Sequence, residues 1–325
     1  MDKKMENRCS MNDNKNESLS QQYGGVHSSG WVDLLPSSWV PYVQLARLSP
    51  PAALFLIYLP HFFGIIHAAR MERHDLSDVL RSCILLLGGS LFYSNAAHAW
   101  NDLIDAPIDK RVARTKNRPI VRGDITMTAA FVFALSQALC AACFLSFLPR
   151  CTAISTIPSI IGATYYPWAK LHTHFPQLIL GFCLSWGAVV GASTLGIEKP
   201  WTETPVICLI AALILWITIY DTIYAYQDIT DDEKVGVKST AVLFKESTKS
   251  MLWFLLILKG GFLVGYGGLT EAGVGYYVIA FGGSVLSLGA MIASVDLKDQ
   301  ASCWWWFSVG FWFTGGSLAF GLIFG

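Results

Sequence analysis

The sequence predicts an all-α membrane protein of nine transmembrane helices around a central cavity, and three observations carry that prediction. Only 14% of the 325 residues are charged while 53% are hydrophobic, whereas an ordinary soluble domain carries about 25% charged residues. Apolar runs of bilayer-crossing length, roughly 20 residues, recur along the chain. Within lipid, backbone polar groups must be satisfied inside their own segment, so runs of this length are helices and not strands.

Taken in order, residues 1–30 are polar and carry both charge signs, and they are read as a disordered tail ahead of a single membrane domain, 31–325. Asp2, Glu6, Asp13 and Glu17 stand against one arginine, Arg8, unlike an Arg-rich transit peptide, and there is no early apolar run of the secretory kind. The expectation is insertion through the first helix into the endoplasmic reticulum or another endomembrane. Asn16-Glu17-Ser18 is a glycosylation sequon that this placement leaves unused in the cytosol. Trp31 to Arg47, with Trp39 and Tyr42, is an interfacial lead-in. Helices are expected over 42–69, 79–100, 126–148, 151–168, 176–195, 204–226, 251–269, 274–295 and 302–324. Pro50-Pro51 and Pro60 punctuate the first. Paired glycines such as Gly88-Gly89 and Gly282-Gly283 suit close helix packing in lipid. Trp304-Trp305-Trp306 is read as an aromatic belt at the interface. Lys259 lies mid-run, too far from either end to snorkel, and marks a polar cavity or a helix break.

The connections set the orientation. Those on the N-terminal side hold twelve lysines and arginines, against four (Arg70, Arg73, Arg150 and Lys199) on the other. Positive charge is retained on the cytoplasmic side, so the N-terminus and the 101–125 loop face the cytosol. The basic residues form no extended face, and no nucleic acid is implied. Cys140 and Cys143, three residues apart within an apolar segment, are read as small packing residues and not as zinc ligands.

Two acidic stretches adjoin helix ends on that cytoplasmic side. Asn101, Asp105 and Asp109 recur at intervals of four, and Asp228 and Asp232 repeat the interval 127 residues later. Residues four apart share a helix face. Carboxylates at the edge of a membrane bundle are costly and mark a functional site. Oxygen ligands on two facing helices suit Mg²⁺, and Mg²⁺ between carboxylates suits a diphosphate, whose charge bare acids would repel. Basic side chains to complete such a clamp are Arg114, Arg118 and Arg122 after the first stretch, Lys170 after the fourth helix, and Arg47 before the first; each also fits a topogenic role. Tyr224, one turn before Asp228, and Tyr166, near Lys170, offer ring faces to a cation.

Asn101-Asp102-x-x-Asp105-x-x-x-Asp109, Arg118-Pro119, Tyr166-Pro167-x-x-Lys170, Pro176-Gln177-x-x-Leu180-Gly181 and the run from Tyr220-Asp221 through Tyr224, Asp228 and Asp231-Asp232 to Gly236-Val237-Lys238-Ser239-Thr240 together resemble the UbiA superfamily of intramembrane aromatic prenyltransferases. The likeness extends from about residue 42 onward and is strongest to the 4-hydroxybenzoate polyprenyltransferase branch, which includes fungal meroterpenoid farnesyltransferases. It implies nine helices around a cavity with a lateral opening for the isoprenoid tail. It also implies Mg²⁺ and diphosphate on Asn101, Asp105, Asp109, Asp228 and Asp232, and a helper role for Asp221 near the acceptor; with the residue reading above, Asp221, Tyr224, Asp228 and Lys170 are the expected catalytic residues. The implied reaction is ionisation of an isoprenyl diphosphate and electrophilic attack on a phenolic ring. Two departures stand out. The branch pattern of an Arg, a basic residue before Pro and then a Gly is Arg47-Leu48-Ser49-Pro50-Pro51-Ala52-Ala53 here, and the basic residue that often follows the family lysine is Leu171.

The reading is therefore a Mg²⁺-dependent transfer of a medium-length isoprenyl group, farnesyl first, onto a small phenolic or polyketide acid in a meroterpenoid pathway. The rival within the class is a 4-hydroxybenzoate polyprenyltransferase of quinone synthesis. From another class comes a membrane transporter, whose acids belong near the midplane and not at one end. A soluble isoprenoid synthase is opposed by the apolar spans.

Overall fold

The acidic residues of the first stretch do not follow their helix; they are its last turns. A computed structural model describes Tyr23 and residues 31–325, and all of its regular elements are helical. The remaining tail and the Asn16 sequon lie outside the described residues. The principal helices are α1 (Ala52–Met71), α2 (Leu76–Asp109), α3 (Met127–Leu145), α4 (Ile157–His172), α5 (Pro176–Ser193), α6 (Thr204–Ala225), α7 (Thr248–Leu269), α8 (Tyr276–Ser294) and α9 (Gln300–Phe324).

Eight helices among the described residues are long and apolar enough to cross a membrane, so the expected count of nine is not met as such. The fourth predicted run divides at Thr156 into Arg150–Ser155 and the 16-residue α4. Pro158 is the cause: without an N–H it cannot continue the ladder from the preceding turn, though it is well accommodated in the first turn of a new helix. Pro50 and Pro51 act similarly on the first predicted run. A short helix, Val40–Leu45, ends before them and α1 begins after Pro51. At that break Arg47 takes a left-handed backbone conformation, φ 53°, while the Leu48 N–H bonds back to the Val43 carbonyl at 3.2 Å. This is a helix-terminating arrangement that glycine makes without cost and arginine does not.

α2 runs 34 residues, past the predicted end at 100, because its last three turns have somewhere to be buried. Asn101, Asp102, Asp105 and Asp109 are all buried there. The helices then close a ring. α1 packs on α2, α5 and α9; α4 lies between α2 and α5; α6 joins α5 to α7; and α8 closes α7 to α9, with α3 flanking α2. Tight apposition of α1 and α5 depends on glycine. A Cβ on Gly64 would stand 2.0 Å from the Ala188 carbonyl oxygen, and one on Gly191 2.0 Å from that of His61. Gly191→Ala should thus push the two helices apart and cost about 1–3 kcal/mol, the usual effect of overpacking. A thermal midpoint in detergent equal to that of the native protein would contradict this contact.

Lys259 resolves into neither sequence alternative. It sits within unbroken α7, fully buried, and donates to Ser284 Oγ at 2.9 Å. Among the described residues no carboxylate pairs with it. A buried cation held by one hydroxyl contributes less than a packed apolar side chain of similar length. Lys259→Met is expected to unfold at a higher temperature with membrane insertion unchanged; a lower midpoint would refute this.

Candidate active site

The two acidic stretches line one cavity, of about 210 Å³, enclosed by α1, α2, α4, α5, α6 and the start of α9. Asn101, Asp105 and Asp109 reach it from one face of α2, and Asp228 and Asp232 from the segment that follows α6. After Ala225 the chain leaves the helix in a turn, and Asp228 heads a new short helix, Ile229–Val235. The four-residue relation survives because the Asp232 N–H bonds the Asp228 carbonyl at 2.9 Å. Gly236, at φ 80°, ends this helix in the left-handed conformation that suits glycine. The residues after it act as a latch. The Lys238 N–H donates to the Lys170 carbonyl at 2.7 Å, the Thr240 N–H to Gln177 Oε1 at 3.0 Å, and the Thr222 and Thr240 hydroxyls meet at 2.7 Å. The second stretch is thereby tied to the ends of α4 and α5.

Apposition of the stretches is direct. Arg114, in the loop after α2, grips Asp228 with two prongs, Nε to Oδ1 at 2.9 Å and Nη2 to Oδ2 at 2.6 Å. The neighbouring Ala113 N–H donates to Asp231 Oδ2 at 2.9 Å. Lys170 Nζ reaches from α4 to Asp105 Oδ2 at 2.5 Å. Arg118 Nη1 bridges Asp102, at 3.1 Å, and Asp109, at 2.8 Å, while Arg47 Nη2 holds Asp102 at 2.8 Å. Burial, then the adjacent Asp228 carboxylate, pushes Asp232 up to about 7.

A hard cation fits these residues in part. The donors are oxygens, the set that Mg²⁺ takes. Asp105 Oδ1 is buried without a hydrogen-bond partner on a residue that lines the cavity. Among the described residues, however, no three acidic, His or Cys side chains converge as a ready cage, because Arg114, Arg118 and Lys170 each draw a carboxylate to themselves. Those three cations are also the groups able to meet an anion entering the cavity, which would compete with the carboxylates for them.

The aromatic residues complete the walls. The Tyr224 ring lies 5.1 Å from the Arg114 guanidinium, and its hydroxyl accepts from Arg114 Nη1 at 3.0 Å. Lys170 Nζ stands 5.1 Å over Tyr166. Asp221 lines the cavity with Lys170, Arg47 and Tyr166 as its electrostatic neighbours. A second, largely apolar groove of about 370 Å³ runs between α2, α3 and α4 and shares Tyr93, Ala97 and Ala163 with the first cavity.

Not every predicted residue arrives. Arg122 bonds Asp124 at 2.6 Å, the Asn117 carbonyl at 2.8 Å and Gln44 Oε1 at 2.6 Å, and it is not among the cavity walls. Phe307 and Tyr23 are among the wall residues that the sequence does not single out. Phe307 directly follows the tryptophans read as an interfacial belt, but a π-helical turn at Trp306–Gly310 aims it inward, 4.3 Å from the Tyr224 ring. The carbonyls that this turn frees, those of Trp306 and Phe307, accept from the Tyr220 hydroxyl. Trp304 likewise faces inward, whereas Trp305 is exposed. Tyr23, placed by the sequence in a disordered tail, is 8% exposed and lines the cavity. A single tyrosine among polar residues gave no periodic signal to find it by.

Comparison with known proteins gives this arrangement a context. Residues 73–315 match the UbiA prenyltransferase family. The chain is 33% identical over 293 residues to the prenyltransferase stbC of Stachybotrys bisbyi, covering 88% of this chain and 86% of that one. It is 31% identical over 294 residues to the mitochondrial 4-hydroxybenzoate polyprenyltransferase of Schizosaccharomyces pombe, covering 90% and 82%. With the DMOA farnesyltransferase nvfB of Aspergillus novofumigatus it shares 34% identity over 251 residues, 77% and 79% of the two chains. The fold matches that of a UbiA homologue from Archaeoglobus fulgidus solved with DMAPP and Mg²⁺, with a TM-score of 0.63 at 18% identity over 87% of this chain and 98% of that one. An apo UbiA homologue from Aeropyrum pernix K1 gives 0.66 at 20% identity, over 82% and 97%. The helical ring, the multi-pass architecture and the extent of these matches agree, and the chain belongs to the UbiA prenyltransferase family.

Proposed function

We propose that this membrane enzyme transfers a farnesyl group from its diphosphate to a small phenolic or polyketide aromatic acid. The observation that carries the reading is the meeting of both acidic stretches, with Arg114, Arg118 and Lys170 between them, in a cavity that continues into an apolar groove. A diphosphate head suits the charged part and an isoprenoid chain suits the groove. One relative is named a farnesyltransferase, which supports a medium-length chain; the 4-hydroxybenzoate polyprenyltransferase relatives make quinone-type prenylation the rival. Mg²⁺, held by Asn101, Asp105, Asp109, Asp228 and Asp232, would neutralise diphosphate charge.

In the reaction the allylic C–O bond breaks and the diphosphate leaves with the electron pair. Lys170 and Arg114 turn from their carboxylates toward the departing oxygens. The ring faces of Tyr166 and Tyr224 stabilise the allylic cation. An electron-rich ring carbon then bonds to it, and rearomatisation expels the ring proton; Asp221 is the carboxylate on this side of the cavity. Arg118 and Arg47 keep the end of α2 in register through Asp102. With the basic connections on the cytosolic side, the site opens toward the cytosol from an endomembrane.

The test is incubation of membranes containing the protein with farnesyl diphosphate or longer diphosphates, Mg²⁺ and a panel of phenolic acids, with products read by mass spectrometry. Prenylated acid formed only with farnesyl diphosphate supports the reading, and preference for a longer chain on 4-hydroxybenzoate supports the rival. Properly inserted protein that consumes no prenyl diphosphate would sink both.

A further inference from the structure

We propose that Tyr23, contributed from ahead of the first membrane helix, forms a wall of the acceptor side of the cavity and sets which aromatic rings it admits. The inference rests on the prenyl-transfer reading and adds a specificity-determining residue to it. Tyr23 is not a loosely resting side chain. Its hydroxyl donates to the Pro50 carbonyl at 2.5 Å, just before α1. Its ring meets Trp304 edge-on, centroids 5.1 Å apart, and Phe307 at 6.3 Å, both at the start of α9. It therefore spans the seam between the beginnings of α1 and α9.

The side chain has no hydrogen bond to Arg114, Arg118 or Lys170; Arg118 reaches Tyr23 only through the backbone carbonyl, at 3.4 Å. What surrounds the phenol is an aromatic surface, Phe307 leading on to Tyr224 at 4.3 Å, and one guanidinium, Arg47, 5.8 Å from the ring centre. A ring face beside a cation is what an aromatic acid requires, the face for stacking and the cation for its carboxylate. The phenol thus borders the space where such a ring fits and limits substituents directed toward the α1–α9 seam. A pocket wall discriminates by size, and one added or removed carbon group at such a wall changes selectivity by roughly 10- to 200-fold.

The experiment compares native protein, Tyr23→Ala, Tyr23→Phe and Tyr23→Trp in membranes with farnesyl diphosphate, Mg²⁺ and three acceptors of graded size. These are 4-hydroxybenzoate, a methyl-substituted resorcylic acid and its pentyl-substituted analogue. Tyr23→Ala should raise kcat/KM for the pentyl acid relative to 4-hydroxybenzoate by about tenfold or more. Tyr23→Trp should lose the pentyl acid first, and Tyr23→Phe, which keeps the ring, should retain the native order. KM for farnesyl diphosphate should stay within about twofold throughout, because the side chain makes no hydrogen bond to Arg114, Arg118 or Lys170, the cations between the two acidic stretches; a merely structural role would disturb donor and acceptor alike. Unchanged acceptor order in both Tyr23→Ala and Tyr23→Trp would overturn the proposal, as would a change in donor KM without reordering of acceptors. Absence of transfer by the native protein on every acceptor would instead defeat the underlying reading.

Discussion

Asp105→Ala is expected to reduce prenyl transfer by roughly a thousandfold or more, the scale on which loss of a main electrostatic group acts in a water-poor site, while leaving the thermal midpoint near that of the native protein. Asp105 lines the cavity, takes Lys170 at 2.5 Å and Asn101 Nδ2 at 2.9 Å on Oδ2, and keeps Oδ1 buried and unbonded. One oxygen thus orients the carboxylate and the other is free for a ligand. Removing the side chain also releases Lys170, which a diphosphate can still use, so the loss reports the carboxylate itself. Asp105→Asn keeps the shape but not the charge and should be nearly as inactive. Turnover within tenfold of native in either variant, assayed with saturating Mg²⁺, would show that Asp105 is not a ligand.

Asp102→Ala should do the opposite, striking stability first. Asp102 is buried, absent from the cavity walls, and paired with Arg47 at 2.8 Å and Arg118 at 3.1 Å. Its removal leaves Arg47 without its ion-pair partner and Arg118 with Asp109 alone. Breaking one side of a buried ion network typically costs about 3–5 kcal/mol, because the remaining charges stay desolvated. The protein should be recovered from membranes in lower yield and unfold well below the native temperature in detergent. Asp102→Ala and Asp105→Ala lie three residues apart on one helix, yet one should fail by unfolding and the other by inactivity. Equal thermal midpoints for the two would mean that the ion network contributes little to the fold.

Much of the fold was legible because lipid imposes a simple rule: long apolar runs become helices, and eight of the expected segments are helices of spanning length. The misjudged ends have local causes. α2 continues to Asp109 because the cavity walls bury and pair its acids, which no window of hydropathy registers. The run near 151–168 breaks at Thr156 because Pro158 interrupts the backbone ladder. Tyr23 and Phe307 went unseen because neither lies in a periodic pattern pointing at the cavity; one comes from a polar tail and the other is turned inward by a π-helical turn. Arg122 shares composition and neighbourhood with Arg114 and Arg118, and only the path of the loop separates them.

Composition and spacing alone determined that this chain crosses a membrane, that its acids fall in two groups with helical spacing, and which family pattern those groups resemble. Only the tertiary structure decided that the groups share a cavity, which arginine holds which carboxylate, and that a tail tyrosine closes one side. The reason is physical: hydropathy and helical period act between residues a few positions apart, whereas Arg114–Asp228, Lys170–Asp105 and Tyr23–Trp304 are contacts across the chain that exist once the ring of helices has closed.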